Sequence, residues 1–318
     1  MTILPVGQSE IPDSSGYAHL KDDWAQGKLH PAPLTREDVD KIFTGENKDD
    51  YFAEYIATGD INKDNYSDVI VGAPGYDSFR GRFYIFYGGP DMDEKFDKIL
   101  DGEIGHVGWF GRVLASGDIN KDGYADLAIT ANHMYQQRGR VYLYYGGPDM
   151  DETPDKIFDG ENALDLFGKS LALGKDVNSD SYGDLLIGSW DYPGNLDRGR
   201  AYLYYGGPRA SMSDIAACIF DGESLNDRFG NEVAVGDING DGFAEVVVGA
   251  WGYNDAQGRA YLFYGPFENK NDITLNWDTT NASIGKHTLK VEIPPVPGEQ
   301  NTENNIKTVT IEVKEPRR

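Results

Sequence analysis

The 318-residue chain carries 53 acidic against 29 basic side chains, a formal charge of -24. That balance excludes nucleic acid as a partner, because phosphate binding needs basic patches. No stretch reaches the roughly 20 apolar residues a membrane span requires, Met1 to Pro5 lacks the make-up of a secretory signal, and 39 glycines with 12% aromatic residues fit an all-β chain rich in turns.

Residues 1–40 read as an extension. Thr35 and Asp38 stand in capping-box spacing and could start a turn of helix. The related stretch Asp151 to Phe158 contains Pro154, which a helix interior rejects, so Lys41 to Gly45 is expected to be a strand. From there to Pro266 one unit repeats about every 60 residues. A Phe-Gly pair (Phe110-Gly111, Phe167-Gly168, Phe229-Gly230, with Phe52-Ala53 as a weak first copy) precedes an acidic loop. An apolar run follows, and then a Gly-Arg step opens a Tyr-rich strand: Arg82 to Tyr87, Arg140 to Tyr145, Arg200 to Tyr205 and Arg259 to Tyr264. A short strand follows the first three of these, at Lys98 to Gly102, Lys156 to Gly160 and Cys218 to Gly222. Cys218 is the one cysteine, so no intrachain disulfide can form; in its apolar run it reads as a small hydrophobe. Four-stranded units of this length predict the blades of a β-propeller.

The acidic loops repeat Asp-x-Asn-x-Asp-x-x-x-Asp. The candidate ligands are Asp60, Asn62, Asp64, the Tyr66 carbonyl and Asp68; then Asp118, Asn120, Asp122, the Tyr124 carbonyl and Asp126. The third set is Asp176, Asn178, Asp180, the Tyr182 carbonyl and Asp184, and the fourth Asp237, Asn239, Asp241, the Phe243 carbonyl and Glu245. Alternate residues of a tight loop can face one centre, and with a water they supply about 6 or 7 oxygens, the number Ca²⁺ favours. Zinc is disfavoured without His or Cys. About four Ca²⁺ sites are expected. The third should be weakest, with Ser181 where Gly123 and Gly242 stand and Lys175 where the others have Gly.

The Phe-Gly pair, the acidic loop and the Gly72-Ala73-Pro74 triplet resemble FG-GAP repeats, the blades of the integrin α-subunit propeller. The resemblance covers Lys41 to Pro266 and implies a calcium site in the turn between the first two strands of each blade. The triplet becomes Thr130-Ala131-Asn132, Gly188-Ser189-Trp190 and Gly249-Ala250-Trp251 in the later copies, which leaves that loop's conformation open. Integrin propellers have seven blades and this chain supplies four sets of strands, so a closed four-blade ring and a piece of a larger ring both remain open. A terminal strand could close the ring by pairing with the opposite terminal blade.

After Pro266 the texture changes. Ile273 to Trp277, His287 to Ile293 and Lys307 to Val313 alternate in the strand period. Residues 271–318, with Glu299 to Asn305, resemble the final strands of the CARDB adhesion domain, a partial Ig-like β-sandwich. Such a remnant needs a cover, and self-assembly through these C-terminal strands is one expectation. Asn281-Ala282-Ser283 is a glycosylation sequon.

The five histidines do not recur in phase and no nucleophile motif accompanies them. The expectation is a non-enzymatic, calcium-binding adhesion or surface-structural protein, extracellular or at the cell surface, its propeller a scaffold for a protein or surface glycan. The alternative is a lectin, or the propeller domain of a secreted lyase or hydrolase. Tyr76, Tyr135, Tyr192 and Tyr253 recur after the apolar strand; they could form a partner face or pack between blades.

Overall fold

The computed structural model describes residues 39–148 and 150–267, together with the backbone of 285–292 and 306–313. It divides into two units, 1–268 and 269–318. The first contains four antiparallel sheets, each a meander.

The first blade runs β1 (Ile56–Gly59), β2 (Asp68–Ala73), β3 (Arg82–Phe86) and β4 (Lys98–Asp101) in sheet order. The second is β5 (Leu114–Gly117), β6 (Asp126–Ala131), β7 (Arg140–Tyr144) and β8 (Lys156–Asp159). The third is β9 (Ser170–Lys175), β10 (Asp184–Ser189), β11 (Arg200–Tyr204) and β12 (Cys218–Asp221). The fourth has three strands, β13 (Phe229–Gly236), β14 (Glu245–Ala250) and β15 (Arg259–Phe263). This is the expected strand order, with each outer strand following its own triplet. The inner strands touch in series, β1 beside β5, β5 beside β9 and β9 beside β13.

The middle strands of the second and third blades are apolar on both faces because a neighbouring blade lies on each side. Ile70, Phe83 and Ile85 of the first blade meet Leu127, Ile129, Tyr142 and Tyr144 of the second in one buried cluster. Equivalent clusters join the second blade to the third and the third to the fourth. The Phe of each Phe-Gly pair bolts its own blade to the one before. Phe110 lies 5.2 Å from Tyr142, Phe167 5.2 Å from Tyr202 and Phe229 5.1 Å from Tyr261, each edge to face. Phe52, the weak first copy, repeats this against Tyr84 at 5.2 Å. The glycine of the Gly-Arg step is required by this bolt. Gly81 and Gly199 have φ of +86° and +84°, and a Cβ there would meet the backbone of Phe110 and Phe229 at 2.2 and 1.9 Å.

Lys41 to Gly45, expected as a strand, has no strand partner in the structure. Its Phe43 nonetheless packs on the first blade, 4.3 Å from Phe86. A ladder needs a neighbouring strand, and none among the described residues pairs with this backbone.

In the second unit, β16 (Gly285–Glu292) pairs antiparallel with β17 (Ile306–Val313), from Gly285 opposite Val313 to Glu292 opposite Ile306. The last two strands read from the alternation are therefore present. Ile273 to Trp277, Asn281 and Glu299 to Asn305 lie outside the described residues, as does the segment from Thr35 to Asp38.

Candidate metal loops

The four acidic loops join the first and second strands of each blade, and their internal geometry repeats. In the second, both oxygens of the first Asp cap the turn: the N–H of Asp122 donates to Asp118 Oδ1 at 3.2 Å and that of Gly123 to Oδ2 at 2.9 Å. Asn120 Oδ1 accepts from the Asp122 N–H at 2.9 Å, and Asp122 Oδ1 from the Tyr124 N–H at 2.9 Å. The first loop places Asp60, Asn62 and Asp64 in the same bonds. The third and fourth do so with Asp176, Asn178 and Asp180, and Asp237, Asn239 and Asp241, except that Oδ1 of the first Asp accepts one residue earlier, from the Ser179 and Gly240 N–H groups. These are Asx turns, wound so that side-chain oxygens gather on the inside of the bend.

The turn demands left-handed backbone at two places. Asn65, Gly123, Ser181 and Gly242 have φ of +69°, +85°, +74° and +94°, the position where glycine was read as useful. Two residues earlier Lys63, Lys121, Ser179 and Gly240 are also left-handed, at +61°, +61°, +72° and +78°. Lysine at that place carries no sequence signal, so this second requirement escapes sequence reasoning.

The ninth position is set apart. Asp68, Asp126, Asp184 and Glu245 are at most 1% exposed, while the other loop carboxylates face solvent. Asp126 accepts from the Ile119 N–H at 2.9 Å and from the Gly146 N–H at 2.8 Å. It thereby ties the loop to the Gly-Gly-Pro turn after the third strand. Asp68 and Asp184 do the same with Ile61 and Gly88, and with Val177 and Gly206. The longer Glu245 takes the Ile238 N–H at 2.7 Å and the Asn239 amide at 3.1 Å. Burial pushes the Asp126 and Asp184 carboxyls up to about 7 against the pull of their backbone donors, and the charges of Asp122 and Asp118, or Asp180 and Asp176, add to it. Asp68 is raised for the same reasons.

The donor set suits a hard cation. It is all oxygen, and each carboxylate oxygen that accepts one N–H keeps a second lone pair. The like charges around a buried carboxyl are the kind of repulsion a divalent ion relieves. Among the described residues, however, no three His, Cys, Asp or Glu side chains already stand grouped for a metal. In this geometry the loop carboxylates hold backbone N–H groups.

A second constellation, missed in the sequence, lies along the outer half of the first three blades. Arg140 forks onto Asp159 through Nε and Nη2 at 2.7 and 2.8 Å, and its Nη1 reaches Glu103 at 2.6 Å. Tyr142 donates to Glu103 at 2.8 Å. Arg82 with Asp101 and Glu46, and Arg200 with Asp221 and Glu161, repeat the arrangement. The signal was there to find, in Asp101-Gly102-Glu103, Asp159-Gly160-Glu161 and Asp221-Gly222-Glu223. The four recurring tyrosines lie against these arginines. The guanidinium carbons of Arg82, Arg140, Arg200 and Arg259 stand 3.7, 4.8, 3.8 and 3.6 Å from the ring centres of Tyr76, Tyr135, Tyr192 and Tyr253. Tyr135 is 40% exposed and the other three less so.

Residues 54–86, 110–144 and 229–263 match the family model described as FG-GAP repeat. The third blade, with Lys175, Ser179 and Ser181, falls outside the matched residues. Integrin alpha-PS2 of Drosophila melanogaster is 33% identical over 275 residues, 80% of this chain and 19% of that protein. Integrin alpha-5 of Xenopus laevis is 29% identical over 216 residues, 64% of this chain and 20% of its own length. Phosphatidylinositol-glycan-specific phospholipase D of Homo sapiens is 35% identical over 178 residues, 50% of this chain and 21% of that enzyme. The chain thus spans about a fifth of the length of the curated relatives it matches. The repeats and these similarities support an FG-GAP, integrin-like domain of β-propeller blades. No helix among the described residues is long and apolar enough to cross a membrane.

Proposed function

We propose that this chain is a non-enzymatic, calcium-binding adhesion or surface-structural protein, acting outside the cell, whose blades form a scaffold for a protein or surface-glycan partner. The observation that carries the reading is the fourfold repetition of one oxygen-only loop, each with a buried ninth-position carboxylate, which in the first three loops lies beside like charges. Asp118, Asn120, Asp122, Asp126 and the Tyr124 carbonyl would hold the ion in the second loop, and their counterparts in the other three. A bound divalent ion supplies charge neutralisation and a cross-link between loop and strand. The protein residues do the positioning: the ninth-position carboxylate anchors the loop to the neighbouring turn, and the Asx turns aim the remaining oxygens. The similarity to integrin α-chains supports adhesion as the setting. The 271–318 segment belongs to this reading as an adhesion-type sandwich remnant that adds strands between copies, and Tyr76, Tyr135, Tyr192 and Tyr253 as a partner face.

Calorimetric titration of chelator-treated protein with Ca²⁺ tests it. About four sites and a higher melting temperature are expected, because an ion that binds only the folded state stabilises it. A stoichiometry near zero with an unchanged melting curve overturns the calcium reading. The similarity to a phospholipase D favours a second reading, in which these blades are the non-catalytic propeller of a secreted hydrolase.

A further inference from the structure

The fourth blade presents a bare mating face. Ile61, Ile119 and Val177 are at most 1% exposed because the next blade covers them, whereas their counterpart Ile238 is 56% exposed. Ile85, Leu143 and Leu203 are fully buried, but Leu262 is 40% exposed. Ala260 is likewise exposed where Phe83, Val141 and Ala201 are buried. Among the described residues strand β15 also has a free edge, since the fourth sheet ends there while the other three carry an outer strand.

At the other end, Lys41 to Thr44 occupies the place of an outer strand without a blade of its own. Phe43 sits on Phe86 at 4.3 Å, as Phe158 sits on Tyr204 at 4.6 Å and Phe220 on Phe263 at 4.7 Å. Lys41 reaches the loop of the following blade, pairing with Glu94 at 3.7 Å, as Lys98 and Lys156 reach the Met150 and Met212 carbonyls. Glu46 binds Arg82 as Glu103 binds Arg140. The inner half of this end is open as well, with Ile56 66% exposed where Leu114 and Leu171 are half-buried. Both end faces are exposed at once, so within one chain they do not cover each other.

The geometry points to a head-to-tail interface between two copies of this chain, in which Lys41–Thr44 of one adds as the fourth strand to β15 of the other. Ile238, Ala260 and Leu262 of that fourth blade then pack on the first blade of the second copy. The occupant is argued from continuity. The interface repeats the three blade-to-blade junctions already inside the chain, and each copy brings both halves of it. Unpaired edge groups of β15 gain a ladder, as in β-augmentation. Because the contact is heterologous, it propagates to closed rings or open chains. The register follows from the other blades. Ile85 faces Lys98, Leu143 faces Lys156 and Leu203 faces Cys218, which sets Leu262 opposite Lys41 and Ala260 opposite Phe43.

The test mixes two single-cysteine chains, Lys41→Cys and Leu262→Cys, each in a Cys218→Ser background, under mild oxidation. A covalent species containing both variants, absent from either alone, is expected. Sedimentation of the wild-type chain should show a mass that rises with concentration. Leu262→Glu, at an exposed position, should lower that mass while leaving the melting temperature unchanged. No cross-link in the mixture, or a wild-type chain monomeric at every concentration, overturns the proposal. So does a chain carrying both cysteines that cross-links only within itself, which would mean that the blades close on their own.

Discussion

The backbone carbonyl of Asp60, in the first acidic loop, accepts a 2.8 Å hydrogen bond from the N–H of Ala125 in the second. The Ala244 N–H makes the same bond to the Asp176 carbonyl between the fourth and third loops. Lys63 adds a side-chain link, its Nζ lying 2.5 Å from the Asp122 carbonyl and 5.0 Å from the centre of the Tyr124 ring. From sequence alone, neighbouring blades share packing but no ligands, and the sites read as independent. The structure joins the first loop to the second, and the third to the fourth, through their main chains.

Asp122→Ala is therefore expected to remove the second calcium site and also to weaken the first. Losing the Asp122 side chain frees the Tyr124 N–H and loosens the stretch that holds Asp60 and Lys63. One net hydrogen bond is worth about 1 kcal/mol, so the first site should weaken several-fold, while the third and fourth keep their affinity. Titration calorimetry reads this directly. Three remaining sites with unaltered affinities would show that the inter-loop bonds carry no coupling.

Ser181→Gly should stabilise the third loop. Ser181 and Ser179 both hold left-handed φ, at +74° and +72°, which costs a non-glycine residue on the order of 1 kcal/mol. Glycine relieves that strain but adds freedom to the unfolded chain, so a net gain of about 0.5 kcal/mol is expected in urea denaturation. The calcium affinity of that loop should rise with it. A loss of stability would mean that the serine is better accommodated than its backbone angle implies.

The blade frame was legible because each blade packs against a neighbouring copy of the same unit. The same positions then need the same residues in each repeat, and Phe110, Phe167 and Phe229 recur for that reason. The outer-strand place of Lys41 to Gly45 was legible too, but not its unpaired state, since a strand is a property of a pair. The acidic loops announced themselves, yet their oxygens turn out to hold N–H groups, which spacing alone does not reveal. The Glu103–Arg140–Asp159 network went unread because carboxylates in so acidic a chain were assigned to metal loops and turns. The left-handed backbone at Lys63 and Lys121 had no residue-type signal at all.

Acid should destabilise the fold through His133. Burial pushes its imidazole down from 6.5 to about 4, and the charges of Arg112 and Lys169 add to that. The ring stacks on Trp109 at 4.8 Å and lies 2.8 Å from Asn132 Oδ1. The unfolded chain takes up this proton near pH 6.5 and the folded one only near pH 4, so stability present above 6.5 is lost as pH falls to 4. Because the ring is only half-buried, solvent screening discounts the loss to the order of 2 kcal/mol. In calcium-free protein, Asp126 and Asp184 act oppositely, because their raised values let the folded state bind protons first. The difference between wild type and His133→Gln isolates the histidine. That difference should change between pH 7.5 and 4.5, and a constant difference would place the imidazole in water.

The bolting role of the Phe-Gly pairs predicts a graded cost along the chain. Phe167 is 1% exposed, closes on Tyr202 at 5.2 Å and belongs to the cluster joining the second and third blades. Truncating it leaves a cavity between two sheets that cannot collapse without separating, so Phe167→Ala should cost about 3–5 kcal/mol. Phe52 makes the same edge-to-face contact with Tyr84 at 5.2 Å, but it is only partly buried at the open end of the series. Water can fill the space it leaves, and Phe52→Ala should cost about half as much. Urea denaturation of the two variants checks the ratio. Equal losses would mean that the first blade is as tightly clamped as the third, by a cover that the described residues do not supply.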